Sequence, residues 1–495
     1  MKKNTFIRIP MYFTIACSIF MSCTNENADP KQQPKNGNVT TETKYANKFA
    51  KEILEYYYYW NEEIKEDLKL LNPDTNDDPI ATVDEIKYHV EDKYIDKWTM
   101  LTNDMESFTS SVGGTSKTYG YQPIVYRLSE NSKDLVAAIA YVSKDSPAEE
   151  KNLKRGDIIY KINDTALTLD NYQELFYSDN IKLSLAKLNG KAIEPTGVEV
   201  TLASREMYEN PVLHHDIIDV NGKKVGYLAY SSFDLKSIGE LVSISKEFKA
   251  EGVKDLILDL RYNGGGYVIT ENVMASMYAP QTAVSNKEIF EKEDFNEYIT
   301  EMYRKEGIST VTRFTTEYNY PDNNINISTK DANIGLEKVY GIISGNSASA
   351  SEALLGGLMP YMDVEIIGQQ SHGKYCTGWM ISAEDAYESV PREIRNWGIY
   401  VMASLYKNAN DETPCMPDGI IPDIEVADNP MESFSLGDEN EAMLKVALER
   451  IAGTYTEASA SRSAISRYNV IDTPKKANFG KRILLMDKQE SIMLK

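Results

Sequence analysis

A strand, a tight turn and a helix are written into residues 338–358. Residues 338–343 (Lys-Val-Tyr-Gly-Ile-Ile) are apolar and β-branched, the pattern of a buried strand. The run that follows is Ser344-Gly345-Asn346-Ser347-Ala348-Ser349-Ala350-Ser351-Glu352. Ala350, Ala353, Leu354 and Leu358 then recur at helical spacing. The serines therefore sit on a strand-to-helix turn, where a side chain is held beside the positive end of a helix dipole. Two readings are open from these residues alone. The turn presents a nucleophile, or it is a Ser/Gly loop in which one serine caps the helix.

The surrounding pattern alternates in the same way. Residues 225–230 and 256–260 read as strands. Ile238, Leu241, Ile244 and Phe248 mark an amphipathic helix, and residues 272–278 a second one. Residues 364–368, 397–406 and 420–426 read as later strands, and 438–451 as a helix. This alternation implies an α/β core over residues 207–430. Residues 283–335 are polar and irregular, and read as an insertion over the site. The segment 431–495 reads as a C-terminal helix and a polar, poorly packed tail. Upstream, residues 43–117 read as helical. Phe49, Ile53, Tyr56, Tyr57 and Trp60 recur at helix-like spacing, and the run Tyr56-Tyr57-Tyr58-Tyr59-Trp60 would make a helix aromatic on all sides. Packing against the neighbouring domain accounts for that run better than ligand stacking does.

Four ordered motifs narrow the function. They are the Ser347-to-Glu352 run, Ser371-His372-Gly373-Lys374, Asp259-Leu260-Arg261-Tyr262-Asn263-Gly264-Gly265-Gly266, and Gly419-Ile420-Ile421-Pro422-Asp423. Together they resemble the C-terminal processing peptidases, or tail-specific proteases, which use a Ser/Lys pair. The resemblance spans roughly residues 45–430. In that family the nucleophile is the middle serine of a Ser-Ala-Ser-Ala-Ser-Glu-like run, and the base lysine follows 25 positions later in a Gly-Lys motif. Ser349 and Lys374 have this spacing. The resemblance implies an α/β multidomain protein with an N-terminal helical region, a PDZ-like β-rich domain and a crotonase-like α/β serine peptidase domain.

The chemistry requires particular groups. A serine hydroxyl needs a base within reach, and lysine serves only when neutral, which burial promotes. Negative charge on the attacked carbonyl oxygen must be met by backbone N–H groups. Ala350 at the helix start is one candidate donor, and Gly265 in the three-glycine loop is the other. Asp259 and Arg261 organise that loop rather than react. One position departs from the family pattern: a Gln four residues after the base often supports it, and here residue 378 is Gly. Thr377, Tyr375 or another segment would have to take its place. His372 invites a Ser/His alternative, but with four histidines in the chain no third member is evident.

Residues 118–206 carry the PDZ-like signature, in Ser146-Pro147-Ala148 and Leu153-Lys154-Arg155-Gly156-Asp157-Ile158-Ile159. Such a domain binds an extended peptide by strand addition and holds its carboxylate on backbone N–H groups. Tyr119-Gly120-Tyr121 is the candidate carboxylate loop. A role as spacer or lid is the alternative.

Residues 1–22 have a basic start and an apolar stretch and read as a signal peptide. Cys23 follows, which resembles a lipoprotein leader with Cys23 lipidated. Residues 23–42 then form a flexible tether. The implied setting is the cell envelope, as an outer-membrane lipoprotein facing the periplasm or the cell surface. The alternative is an ordinary cleaved signal. Of four cysteines, Cys376 and Cys415 remain, as a disulfide or as two buried thiols. No His or Cys pair has metal-ligand spacing, and no cofactor is expected. The formal net charge of −22 disfavours nucleic acid as a partner. The expected partners are protein or peptide substrates with free C-termini and, through Cys23, a membrane. The competing function is a non-catalytic peptide- or ligand-binding lipoprotein on the same fold.

Overall fold

The structure, a computed structural model, describes residues 38–190, 192–456, 468–476 and 479–485. The signal segment 1–22, Cys23 and most of the tether lie outside the described residues. Helix α1 (Thr41–Tyr57) begins at a capping box between Thr40 and Thr43 and buries Phe49, Ala50, Ile53, Leu54 and Tyr57 on one stripe. The aromatic run does not stay helical. α1 stops at Tyr57, and Tyr58 turns extended at φ −80° and ψ 133°. Buried Tyr58 donates its hydroxyl to Asp96 Oδ2 at 2.8 Å, and the Tyr59 N–H donates to the Met402 carbonyl at 2.8 Å. The rings are thus divided between two packing directions. α2 (Pro79–Ile86), β1 (Met100–Thr102) and α3 (Met105–Val112) complete this region.

The β-rich domain comprises β2 (Tyr121–Arg127), β3 (Leu135–Val142), β4 (Ile158–Ile162), the short helix α4 (Glu174–Tyr177), β5 (Asn180–Asn189) and β6 (Ala192–Ala203). These strands form one antiparallel sheet in the order β6-β5-β4-β3-β2. β3 is apolar throughout because both its faces are covered. Leu135, Ala137 and Ile139 pack into the domain's own core, while Val136, Ala138 and Ala140 pack towards Tyr262 and Met431.

The α/β domain opens with a hairpin of β7 (Val212–Val220) and β8 (Lys223–Tyr230), then α5 (Ile238–Ala250), β9 (Asp255–Asp259), β10 (Gly265–Tyr267) and α6 (Val268–Tyr278). After β11 (Ile289–Phe295) and β12 (Val311–Arg313) come β13 (Lys338–Ile343), α7 (Ala350–Leu358) and β14 (Asp363–Gly368). β15 (Cys376–Ser382), β16 (Gly398–Asn408), β17 (Ile424–Glu425) and α8 (Ala442–Ala452) follow, and the described chain closes with β18 (Asn469–Asp472) and β19 (Lys481–Ile483). One sheet has the order β7-β8-β9-β13-β14-β17, parallel except for the first pair. Alternate residues serve opposite faces. Leu228, Leu256, Leu258 and Val339 pack with α5, α6 and α7, whereas Tyr227, Ile257, Tyr340 and Ile342 pack with α8. The loops at the carboxyl ends of β9, β13 and β14 carry the glycine, serine and lysine motifs, where open parallel sheets place their ligands.

Two expectations change. Residues 283–335 are not irregular throughout, because β11 and β12 join a second sheet of order β10-β19-β15-β16-β11-β12, with β1 added on β16. Nor are the described tail residues 468–476 and 479–485 without packing partners. β18 pairs antiparallel with β2, and β19 pairs parallel with β10. Strands of three or four residues carry too little periodicity to read from sequence; β18 is specified by the edge of β2 that receives it, and β19 by the two strands, β10 and β15, between which it lies.

A buried ion cluster fixes the β-rich domain to the α/β domain. Arg261 is bound by Asp259 (Nη2 to Oδ2, 2.7 Å), Glu441 (Nη1 to Oε1, 2.6 Å) and Asp428 (3.1 Å). Arg155 reaches the same Asp428 Oδ1 at 2.7 Å and the Tyr262 hydroxyl at 2.5 Å. The two guanidinium groups hold the Asp428 carboxyl down at about 2, against the opposing effect of burial. Removing one partner of such a cluster leaves uncompensated buried charge. Arg261→Met should therefore destabilise the fold by about 3–5 kcal/mol in urea unfolding followed by circular dichroism, whereas Ile421→Ala, at a residue 76% exposed, should leave the midpoint unchanged.

Candidate active site

The serine run divides cleanly by partner. Ser344 Oγ donates to the Arg261 carbonyl at 2.5 Å, Ser347 Oγ to that of Leu260 at 2.8 Å, and Ser351 Oγ to that of Asn263 at 2.9 Å. These three stitch the turn after β13 to the loop after β9. Ser349 is different. Its hydroxyl is buried and has no hydrogen-bond partner among the described residues. Its backbone stands at φ 65° and ψ −115°, a conformation that costs a non-glycine residue of order 1–3 kcal/mol and persists only where the surroundings enforce it. Such strain on a strand-to-helix turn is what exposes a nucleophile to a reacting atom.

Glu352 enforces it. This carboxylate, at the third position of α7, accepts four hydrogen bonds. Oε2 takes the Ser349 N–H (2.7 Å) and the Lys374 N–H (2.9 Å), and Oε1 takes Ser371 Oγ (2.5 Å) and the Gly373 N–H (2.6 Å). One side chain thus joins the serine turn to the lysine loop. Burial raises its carboxyl to about 7 although all four donors oppose that shift.

Lys374 is fully buried, its ammonium 5.6 Å from the Trp98 ring centroid and 5.3 Å from that of Tyr400. Burial lowers its pKa to about 8, with Arg482 acting in the same direction and Cys376, Asp96 and Glu352 against it. Gly378 does not face it with an amide. The support comes instead from Tyr400 on β16, whose hydroxyl accepts from Lys374 Nζ at 2.9 Å, accepts from the Arg482 N–H and donates to the Arg482 carbonyl, both at 3.0 Å. A Cβ at residue 378 would meet the Tyr400 ring at 2.6 Å, so glycine here makes room for the tyrosine. Neither Thr377 nor Tyr375 fills the role. Thr377 Oγ1 donates to Glu293 Oε1 at 2.9 Å.

The other candidates lie as follows. Ala350 opens α7, and helix N-terminal amides have no intrahelical acceptor. Gly265 adopts φ 107°, and its N–H donates to Asn263 Oδ1 at 2.9 Å, so that donor is engaged in this state. His372 stacks edge-to-face on Phe479 at 4.8 Å, with burial lowering its pKa to about 4. Tyr119 and Tyr121 stack at 5.9 Å, and the Gly120 N–H is taken by Thr118 Oγ1 at 3.0 Å. A Cβ at Gly120 would collide with Ser146. The disulfide alternative is corrected, since Cys376 and Cys415 are free buried thiols. Cys376 Sγ lies 3.2 Å from Met402 Sδ, whereas Cys415 Sγ lies 3.1 Å from the Tyr406 hydroxyl, so each thiol packs towards a different neighbour.

Glu352, Tyr400 and Trp98 had no role assigned from sequence. Glu352 had a readable signal, an acid three residues after Ser349 at the head of an otherwise apolar helix. Tyr400 and Trp98 had none, because each comes from an element far from the motifs.

Residues 224–426 match the family model for Peptidase family S41. A carboxyl-terminal-processing protease of Synechocystis is 25% identical over 342 residues, covering 67% of this chain and 68% of that protein. A protein of Staphylococcus saprophyticus named as a CtpA-like serine protease is 22% identical over 312 residues, and the match spans 61% of this chain and 53%, about half, of that one. The fold is similar to that of an S41 protease from Bacteroides fragilis, at TM-score 0.66 and 22% identity over 87% of this chain and 100% of that one. The match runs from β8 to β17, through every loop that builds the serine, lysine and glycine motifs, so residues 224–426 match peptidase family S41, and C-terminal processing proteases are among the proteins to which the chain is similar.

Proposed function

We propose that this chain is a serine endopeptidase in which Ser349 is the nucleophile and Lys374 the base. The observation that carries the reading is the one unpartnered hydroxyl of the serine run, on a strained turn that shares Glu352 with a buried, pKa-lowered lysine. The neutral Lys374 amine takes the Ser349 hydroxyl proton as Oγ bonds to the substrate carbonyl carbon. The resulting oxyanion is met by backbone N–H groups of Ala350 and the Gly264–Gly266 loop. Collapse breaks the C–N bond, and the Lys374 ammonium returns its proton to the leaving nitrogen. Lys374 then deprotonates a water that attacks the acyl carbon; the C–Oγ bond breaks, the Lys374 ammonium returns its proton to Ser349 Oγ, and the acid product leaves. Substrates are proteins with accessible C-termini, received on the PDZ-like domain by strand addition along β2. A lipid anchor on Cys23 would hold the enzyme in the cell envelope, a reading that rests on the leader sequence.

Three outcomes follow from this assignment. Full-length protein should cleave casein, and Ser349→Ala and Lys374→Ala should each lower the rate about ten-thousandfold with unchanged circular dichroism. Activity near the uncleaved blank in the wild type, with no labelling by a fluorophosphonate, would favour a peptide-binding protein.

The base must be neutral, and its pKa is about 8. Below that pH, kcat/KM should rise about tenfold per unit and then level off above it. A flat profile from pH 6 to 9 would exclude Lys374 as the base.

The same burial is a cost to folding. Lys374 is lowered from 10.5 to about 8, so the native state disfavours its charged form. The penalty, about 3 kcal/mol, is full below pH 8 and disappears as the pH rises towards 10.5. Lys374→Met should therefore be inactive yet unfold at higher urea than the wild type at pH 7.

A further inference from the structure

The proposed site is closed in this structure, and the chain itself closes it. Ser349 and Lys374 are each 0% exposed, whereas a peptidase must admit an extended substrate. Part of the cover comes from the C-terminal segment. The Gly480 N–H donates to the Gly264 carbonyl at 2.7 Å. A Cβ at Gly480 would lie 3.1 Å from the Trp98 ring and 3.9 Å from Lys374 Cδ. A Cβ at Gly265 would lie 2.6 Å from the Lys481 carbonyl oxygen and 2.8 Å from Ser349 Cβ. Phe479 packs on Gly264 and on the His372 ring. The tail backbone therefore runs along the glycine loop, over the nucleophile and the base, as a substrate strand would.

The same segment first crosses the β-rich domain. β18 adds to the edge of β2 in antiparallel register, Asn469 opposite Arg127 and Val470 opposite Tyr126. Ile471 packs into the domain core beside Tyr172 and Phe176, and Tyr172 donates its hydroxyl to Asp472 Oδ2 at 3.2 Å. Gln122 Nε2 then donates to the Pro474 carbonyl at 3.0 Å. This is the position and direction of a peptide ligand added to β2, except that the chain continues past the groove. Its charge also suits the role. Lys476 and Arg482 are cations laid on a protein of net charge −22, and Lys476 pairs with Glu209 at 3.0 Å. Downstream the segment is pinned by Arg482, fully buried and bound by Glu271, Glu291 and Glu293.

We propose that residues 469–476 and 479–481 are a strap, pinned at Arg482, that occupies the peptide groove and the catalytic cleft in cis, and that a substrate strand must displace it to reach Ser349; this rests on the Ser349/Lys374 peptidase reading. Free and occupied enzyme are then two populations, and the apparent affinity for substrate is reduced by the fraction in which the strap is out.

The test weakens the strap at its upstream end, away from the Arg482 cluster. Binding of a fluorescein-labelled peptide with a free, apolar C-terminus is measured by anisotropy on Ser349→Ala and on Ser349→Ala/Ile471→Asp, and hydrolysis of the same peptide on the wild type and on Ile471→Asp. Ile471→Asp should tighten binding and raise kcat/KM, each about tenfold, and a synthetic peptide of residues 468–485 should compete with the labelled one. A second variant reverses the logic. Asn469→Cys/Arg127→Cys places a thiol pair across the β18–β2 ladder. Oxidation should lower peptide binding about tenfold and dithiothreitol should restore it. Equal binding in all forms overturns the strap. Tighter binding by Ile471→Asp with hydrolysis by none of the enzymes upholds the strap and overturns the dyad.

Discussion

The carboxylate of Glu352 is the one bond-maker on which the arrangement depends. The serine turn leaves β13 and the lysine loop leaves β14, and nothing in a parallel sheet requires those two loops to meet at a fixed distance. Glu352 supplies the requirement by accepting an N–H from each, together with Ser371 and Gly373. It also explains how Ser349 stays at φ 65°, because the amide of the strained residue is tied to the first turn of its own helix. A buried carboxylate with every acceptor position engaged is costly to desolvate and costly to disturb, which favours a single geometry over a family of loop conformations.

Two buried arginines extend that rigidity outwards. Arg261 and Arg155 gather Asp259, Asp428 and Glu441, and so tie the glycine loop, the segment after β17, the start of α8 and the β-rich domain. Arg482 gathers Glu271, Glu291 and Glu293 from α6 and β11. Both clusters hold more carboxylates than cations, and burial raises Glu271 to about 7 even beside Arg482. Such clusters contribute little net stability relative to apolar packing, but breaking one is expensive. They act as register marks between segments far apart in sequence.

How much of this was legible in the sequence depended on locality. β13 and α7 lie where the apolar run and the helical spacing of Ala350, Leu354 and Leu358 put them, because strand, turn and helix are contiguous and each is specified by its own residues. The loop role of Asp259 and Arg261 was readable for the same reason. Tyr400 was not. The vacancy at residue 378 was visible, but the group that fills it arrives from a neighbouring strand, and only the β15–β16 register brings it there. The aromatic run misled through its periodicity, since Tyr58 and Tyr59 leave the helix to bond with Asp96 and Met402. The tail misled through its polarity. Among its described residues, Lys475, Lys476, Lys481 and Arg482 are tied down by carboxylates, a side-chain carbonyl and rings that lie elsewhere in the chain.

The position of Arg482 has a consequence for how the molecule is built. Its three carboxylates lie 189 to 211 residues earlier in the chain. A ribosome therefore delivers Glu271, Glu291 and Glu293 long before their cation, and during that interval the second sheet lacks both the strand between β10 and β15 and a countercharge. β19, which joins β10 to β15, is the keystone of that sheet. Vectorial synthesis therefore leaves the interior around Lys374 open to water until β19 arrives, long after β2 to β6 of the β-rich domain have been made.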